Sequence, residues 1–371
     1  MKKIIRATTS PRSLDDFCRN MLKELSEEYE VVAVSSPGEE LTRIEQREHV
    51  RVVAIPMERR ISLIKDFKSL WRMFVFFRHE RPDVVHSMTP KAGLICMVSS
   101  WLAKVPLRIH TFTGLIWPTA TGFKRRVLMI TDWLTCACAT HIIPEGEGVR
   151  NDLLNQRITH KSLKVLGYGN VRGVDLEYYK PDNYSFTPDV ASFTFVFVGR
   201  IVREKGINEL VSAFDRLHRE KPNIRLVLVG DTEDDDPILY ETLCRIKKKN
   251  GIIAVGRQSD VRPYYAQANA LILPSYREGF PNVVIEAGAM GLPCIVTDIN
   301  GSREIIFNGK NGIIIPPKDE VALYEAMKFF IEHTDAVAAM ASNARSLIAS
   351  RFEDKFVRQR LYDYYHEIMN N

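Results

Sequence analysis

Residues 193–206 read FTFVFVGRIVREKG. The first six are aromatic or β-branched and end on Gly199. A run that is apolar nearly throughout suits a strand covered on both faces, as in a parallel sheet with helices on either side. Arg200 and Lys205 then stand before a helix-like stretch, at the end of the strand where open α/β sheets bind ligands.

The same unit recurs in both directions. RLVLVG (225–230), GIIAVG (251–256), ALILPS (270–275), PCIVTD (293–298) and GIIIPP (312–317) follow it. VVAVSS (31–36), VRVVAIP (50–56), DVVHSM (83–88), LRIHTFT (107–113), HIIPE (141–145) and LKVLG (163–167) precede it. Helix-length segments separate most of these runs, which implies parallel crossovers. The expected fold is α/β, with two Rossmann-like doubly wound domains facing across a cleft. An N-terminal domain is placed at 1–180 and a C-terminal one at 190–350. PDNYSFTPDVAS (181–192) is the linker candidate, and a last helix (354–371) is free to pack back on the first domain.

At 371 residues the chain suits two domains of ordinary size. No run approaches the roughly 20 apolar residues of a membrane-spanning helix. MKKII at the N-terminus reads as a first strand, not a signal peptide. Six scattered cysteines show no repeated zinc spacing and read as reduced, buried thiols of a cytoplasmic protein. The net charge of +5 is concentrated before residue 170, which points to an anionic partner there, a phosphate group or a membrane surface. No nucleic-acid motif is present, so nucleic acid is not expected.

REGFPNVVIEA (277–287) places Glu278 in a loop and Glu286 in the helix that follows. Pro281 fits a first helical position, so the helix should begin near Phe280–Asn282, with free N–H groups forming an anion site. Glu286 should lie about one and a half turns in. Carboxylates there would repel a phosphate, so sugar hydroxyls are their natural partners. Arg200 and Lys205 supply a planar fork and a point charge for phosphate oxygens. The ligand inferred is a diphosphate with hydroxyl-bearing rings on both flanks, a nucleotide sugar. For either glutamate alone, a helix cap or a buried structural acid explains as much; for the four residues together it explains less. The acidic run GDTEDDDP (230–237) reads as a surface helix start, not a metal site.

These motifs resemble those of the retaining glycosyltransferases of family 4, which have the GT-B fold, over essentially the full length. GRIVREKG resembles the family's GR-x4-KG element and EGFPNVVIE its E-x7-E element. GSREII (301–306), NGKNG (308–312) and the hinge-like GYGNVRGVD (167–175) complete the order. The resemblance implies that Arg200 and Lys205 grip the donor diphosphate and Glu286 binds ribose. Glu278 would hold the transferred sugar, aided by Gly279 and the backbone of Phe280, Pro281 and Asn282. Gly256 and Arg257 would lie near the base. It also implies a role for His110, in RIHTFTG (108–114), against the donor sugar, and that no metal or other cofactor is needed.

On the acceptor side, Thr9 and Ser10 of the first loop, with His86 and Lys91 of HSMTPKAG (86–93), are candidates to meet a phosphate. ATTSPRS stands where many family members have a Gly-Gly pair. ERRISLIKDFKSLWRMFVFFRHER (58–81) reads as a helix with Ile64, Phe67, Leu70, Trp71 and Phe74 as its core stripe. Met73 and Phe76 fall off that stripe among Arg59, Arg60, Lys65, Lys68, Arg72 and Arg78. Aromatic residues beside basic ones suit a helix on an anionic bilayer, and a wide buried face fits equally well. GFKRRVLMITDWL (122–134) is a second basic segment.

The expected activity is retaining transfer of a sugar, an N-acetylhexosamine from a UDP-sugar, to a polyprenyl-diphosphate-linked acceptor in bacterial surface-polysaccharide assembly. The protein would be cytoplasmic and peripheral on the inner face of the membrane. A nucleotide-sugar epimerase of the same fold, a soluble transferase and a non-catalytic nucleotide-sugar sensor are the alternatives.

Overall fold

Hydrogen bonding between strands settles the architecture. The computed structural model describes residues 1–58, 62–184, 192–248 and 250–370. Arg59, Arg60 and positions 185–191 of the linker candidate lie outside them. The chain divides into one unit of Met1–Arg172 with Val357–Asn371, and another of Gly173–Phe356.

The first unit runs β1 (Lys3–Ala7), α1 (Pro11–Cys18), α2 (Met21–Ser26), β2 (Glu30–Ser35), α3 (Glu40–Glu48), β3 (Arg51–Ala54), α4 (Leu63–Glu80), β4 (Val84–Met88), α5 (Pro90–Leu102), β5 (Leu107–Phe112), α6 (Gly122–Cys138), β6 (His141–Pro144) and α7 (Glu147–Asn155). Its six strands are ordered β3-β2-β1-β4-β5-β6, all parallel. The order reverses beside β1, which is the topological switch point of a doubly wound sheet.

The second unit runs β7 (Phe193–Val198), α8 (Ile207–Glu220), β8 (Ile224–Val229), α9 (Tyr240–Lys247), β9 (Ile252–Gly256), α10 (Arg262–Ala266), β10 (Ala270–Leu273), α11 (Asn282–Ala289), β11 (Cys294–Thr297), α12 (Ser302–Ile305), β12 (Gly312–Ile315), α13 (Glu320–Glu332) and α14 (Thr334–Phe352). Its sheet order is β12-β11-β10-β7-β8-β9, again parallel. β7 is central, and Phe195 and Phe197 are fully buried, as the doubly covered strand required.

The last helix, α15 (Asp354–Asn370), returns to the first unit from Val357 onward. Arg358 Nε meets both carboxylate oxygens of Glu24 at 2.9 Å, and Tyr365 is buried against Arg6. Arg6 is itself fully buried. Its Nη1 donates to Tyr365 Oη at 2.8 Å and lies 2.6 Å from His86 Nδ1. An arginine only donates, so Nδ1 accepts and His86 carries its hydrogen on Nε2, 2.7 Å from Thr111 Oγ1.

Among the described residues no helix is long and apolar enough to cross a membrane. The six cysteines are free, and all but Cys244 are buried.

Two glycines shape the site-bearing loops. Gly206 has φ 70°, and a Cβ there would lie 2.1 Å from the Pro274 carbonyl oxygen. Gly301 has φ 73°, and a Cβ would meet the Gly279 carbonyl oxygen at 2.5 Å. Any other residue would push these loops apart.

Candidate functional site

In the second unit the 200–205 loop leaves β7 and closes in a 3-10 turn at Arg203–Lys205, capped by Gly206. Lys205 Nζ forms an ion pair with Glu278 Oε1, and both side chains are largely buried. That pair fixes the loop beside the start of α11. Arg200 Nη1 is 2.7 Å from Glu233 Oε2, a pair with both members open to solvent. Arg277 Nη2 meets Glu204 Oε2 at 2.7 Å. The cations expected to hold a diphosphate are thus brought to one edge of the sheet, each resting on a carboxylate.

α11 begins one residue later than expected. Pro281 has ψ 101° and is the N-cap, not the first helical residue; Asn282 is. An extended ψ at Pro281 leaves its carbonyl to close the first turn, accepting from Val284 N at 3.0 Å. Glu286 therefore sits just over one turn into the helix, not one and a half. Its carboxylate is buried and accepts from Tyr265 Oη at 3.1 Å. Burial and that carboxylate push the Tyr265 phenol well above its ordinary pKa, so it stays a donor. Phe280 is buried and packs edge-on to Phe352, ring centroids 5.4 Å apart. Gly279 runs against Gly301. The N-cap Pro281 makes no side-chain cap hydrogen bond.

The acidic run does not open a helix. Residues 231–239 form a loop, and α9 starts at Tyr240. The loop is stapled to the phosphate-binding candidate: Ile201 N donates to Asp231 O at 2.8 Å, Glu204 N to Asp236 Oδ2 at 2.6 Å, and Arg203 pairs with Asp236 at 3.0 Å. Asp and Asn side chains that accept from nearby backbone favour such turns over helix. Gly256 ends β9 with φ 69°. The next residue, Arg257, has an exposed side chain and donates its backbone N–H to Asp231 Oδ1 at 2.9 Å.

In the first unit both histidines lie within strands. His110 lies inside β5, two residues before its end, and His86 lies in the middle of β4; both are buried. They face opposite sides of the sheet, since alternate strand residues do. His86 belongs to the Arg6–Tyr365 network under α15, where burial and the neighbouring guanidinium hold its pKa well below the ordinary value. It is a structural group, not a loop residue that meets an acceptor.

His110 points to α5. Its Nδ1 is 2.8 Å from Ser87 Oγ, and its ring stands edge-on to Phe112 at 4.4 Å. A Cβ at position 93 would come within 2.4 Å of His110 Cε1, so glycine at 93 lets α5 lie directly on the ring. Burial pushes the His110 pKa down to about 3, and a neutral imidazole results.

Thr9 and Lys91 gather at the same first turn of α5. Thr9 Oγ1 accepts from Ala92 N at 3.2 Å and lies 2.7 Å from Thr89 Oγ1. Lys91 pairs with Asp66 at 2.5 Å. Ser10 caps α1, accepting from Ser13 N at 3.2 Å. Of the four acceptor candidates, then, Thr9 and Lys91 meet at α5, Ser10 stands at the neighbouring helix start, and His86 is excluded. Sequence reasoning missed Ser87, Gly93, Tyr265 and Glu233. Each is an ordinary residue type whose partner is brought by another element, so only the presence of Ser87 and Gly93 within HSMTPKAG offered a signal.

Residues 185–347 match the family described as glycosyl transferases group 1, and residues 16–169 match the glycosyl transferase 4-like domain. The chain is 31% identical over 347 residues to the capsular polysaccharide biosynthesis glycosyltransferase CapM of Staphylococcus aureus, covering 92% of this chain and 90% of that one. It is 27% identical to the Escherichia coli UDP-Gal:alpha-D-GlcNAc-diphosphoundecaprenol alpha-1,3-galactosyltransferase, covering 87% and 85%. In fold it resembles Anabaena Alr3699/HepE, solved in complex with UDP and glucose: TM-score 0.80, 19% identity, 99% and 100% coverage. Two switch-point sheets and two matched halves have one reading: the chain belongs to the family 4 glycosyltransferases with the GT-B fold.

Proposed function

We propose that the protein transfers a sugar from a UDP-sugar to a polyprenyl-diphosphate-linked acceptor, with retention at the anomeric carbon, in bacterial surface-glycan assembly. The observation that supports this reading is the Lys205–Glu278 pair, a cation suited to phosphate beside a carboxylate suited to sugar hydroxyls, near the start of α11. The names of the S. aureus and E. coli relatives support the pathway and the lipid-linked acceptor.

In this reading Arg200 and Lys205 neutralise the departing diphosphate with the amino-terminal end of α11. Glu278 and the backbone at Gly279–Asn282 orient the transferred sugar, Glu286 takes the ribose, and Gly256 and Arg257 flank the base. His110, neutral across the physiological range, serves as a hydrogen-bonding wall and not as a proton donor. Thr9, Ser10 and Lys91 line the acceptor side. Rate then comes from positioning and electrostatics without a metal or an enzymatic nucleophile. The work is done on the cytoplasmic face of the membrane, which α4 touches. The proposed sugar is an N-acetylhexosamine, with galactose as its direct competitor.

The test is nucleotide release by the purified protein from UDP- and GDP-sugars, in EDTA, with and without a polyprenyl-diphosphate-linked sugar in detergent. Acceptor-dependent release from one UDP-sugar, with the product's anomeric proton matching the donor's, is expected. Binding of donor without release under any condition would overturn the reading in favour of a sensor.

A further inference from the structure

The outer surface of the first unit contradicts the expected core stripe of α4. Ser69, Met73 and Phe77 face inward, and Ser99 of α5 donates to the Leu70 carbonyl at 3.0 Å where the two helices cross. Ile64, Phe67 and Trp71, expected in the core, are exposed. Exposure falls along the helix from 83% at Leu63 to 57% at Trp71.

α6 repeats the arrangement. Asp132, Thr135 and Cys136 face inward, while Phe123, Ile130 and Trp133 face out, from 81% exposed at Phe123 to 54% at Trp133. α5 packs against both helices and leaves Trp101 exposed at its end. α4 and α6 each follow a strand of the same parallel sheet, so both start at its carboxyl edge. The most exposed apolar residues of both helices lie at that edge.

The charge on this face has one sign. Lys65, Lys68 and Arg72 on α4 and Lys124 and Arg126 on α6 are exposed. The acids of these helices are turned away or paired: Asp132 is buried under Trp117, Asp66 holds Lys91, and Glu80 holds Lys3 and Arg51. Lys65 also reaches Glu58 at 2.8 Å. Large apolar side chains interleaved with an excess of cations match the interface of a bilayer bearing anionic headgroups. A second copy of the chain fits less well, since a two-fold contact would set cations against cations.

We propose that the outer face of α4, α5 and α6 rests on an anionic membrane, with the amino-terminal ends of α4 and α6 inserted deepest. The sheet's carboxyl edge, and with it the first turn of α5, is thereby tipped toward the lipid. This extends the lipid-linked reading, but the contact itself needs no substrate.

The experiment is flotation of the full chain with phosphatidylglycerol/phosphatidylcholine vesicles and with phosphatidylcholine alone, followed by quenching of tryptophan fluorescence by brominated acyl chains. Binding to the anionic vesicles that weakens with salt is expected. Replacing Lys68 or Arg72 with glutamine should loosen it roughly fivefold each. Ile64→Ser/Phe67→Ser/Phe123→Ser should loosen it about tenfold or more while leaving the melting transition and UDP binding in place. With the exposed tryptophans replaced by phenylalanine, a tryptophan at position 64 or 123 should be quenched more than one at 75 or 133. Absence of vesicle binding, or a concentration-dependent dimer that the triple serine variant abolishes, would overturn the proposal. Acceptor-dependent nucleotide release in detergent would survive that result, whereas vesicle binding without any release would leave the docking face and discard the transferase reading.

Discussion

The first turn of α5 and the first turn of α11 both stand at the carboxyl edge of a parallel sheet, and they differ in the balance of neutral and ionised groups. Around α5 the groups closest to the sheet are desolvated and neutral, His110 against Ser87 and Thr9 spent as a cap, with the Lys91–Asp66 ion pair as the exception. Around α11 they are ionised and paired with one another: Lys205 with Glu278, and Arg200 with Glu233. The Arg200–Glu233 pair is open to solvent and has small net strength, so a ligand that brings its own charge can exchange into it, while the largely buried Lys205–Glu278 pair holds the loop beside it. A buried neutral group offers shape and a fixed hydrogen bond, and nothing to exchange. One half is thus suited to gripping an anion, the other to presenting a wall.

Changes at α11 should therefore strike function, and changes near α5 should strike stability. The largest expected effect is Lys205→Ala, which should lower kcat/KM by roughly a hundredfold or more if Lys205 meets the departing diphosphate, and should also lower the melting temperature because Glu278 loses its partner. Nucleotide-release kinetics measure it, and unaltered kinetics would remove Lys205 from the diphosphate site.

Next comes Asp132, buried in α6, where desolvation raises its pKa to about 7 against the hydrogen bond from Trp117 Nε1 at 3.0 Å. A carboxyl raised above its unfolded value favours the fold at low pH. That contribution is lost as pH rises from about 4 through about 7. Asp132→Asn keeps an acceptor for Trp117 and should gain on the order of 1–3 kcal/mol at pH 8 and little at pH 5, read by urea denaturation. Equal effects at both pH values would show that Asp132 is ionised in the fold.

Gly93→Ala forces its new methyl into His110 and should cost about 1–3 kcal/mol in the same assay. A neutral result would mean that α5 lifts off the histidine freely.

The smallest effect is expected at Glu233. Glu233→Gln frees Arg200 and should tighten UDP binding a few-fold, within the roughly 0–1 kcal/mol of an exposed pair. Weaker binding in calorimetry would mean that Glu233 positions Arg200 instead of competing for it.

How much of this was legible in the sequence depends on where each residue stands in its element. Arg200, Lys205 and Glu278 fall in loops after strands as read, because a doubly buried strand announces its own end and parallel topology then fixes the edge its loop lies on, while Glu286 lies nearer its helix start than read. The strand runs holding both histidines were legible, but the neighbours were not: His86 meets Arg6 and Tyr365 under α15, and His110 meets Ser87. α4 failed for a different reason. Periodicity identifies residues that share a face, but not whether that face meets the core. Ile64, Phe67 and Trp71 do share one, and it points outward.

The sequence by itself determined the two parallel α/β halves, the order of the strands' loops and the family, because burial patterns and turn residues are local and survive without coordinates. The tertiary structure alone decided which carboxylate each cation holds, which histidine is walled in, and which side of α4 meets water. These depend on residues far apart in the chain meeting across a sheet, where desolvation and packing are set by the neighbours and not by the residue itself.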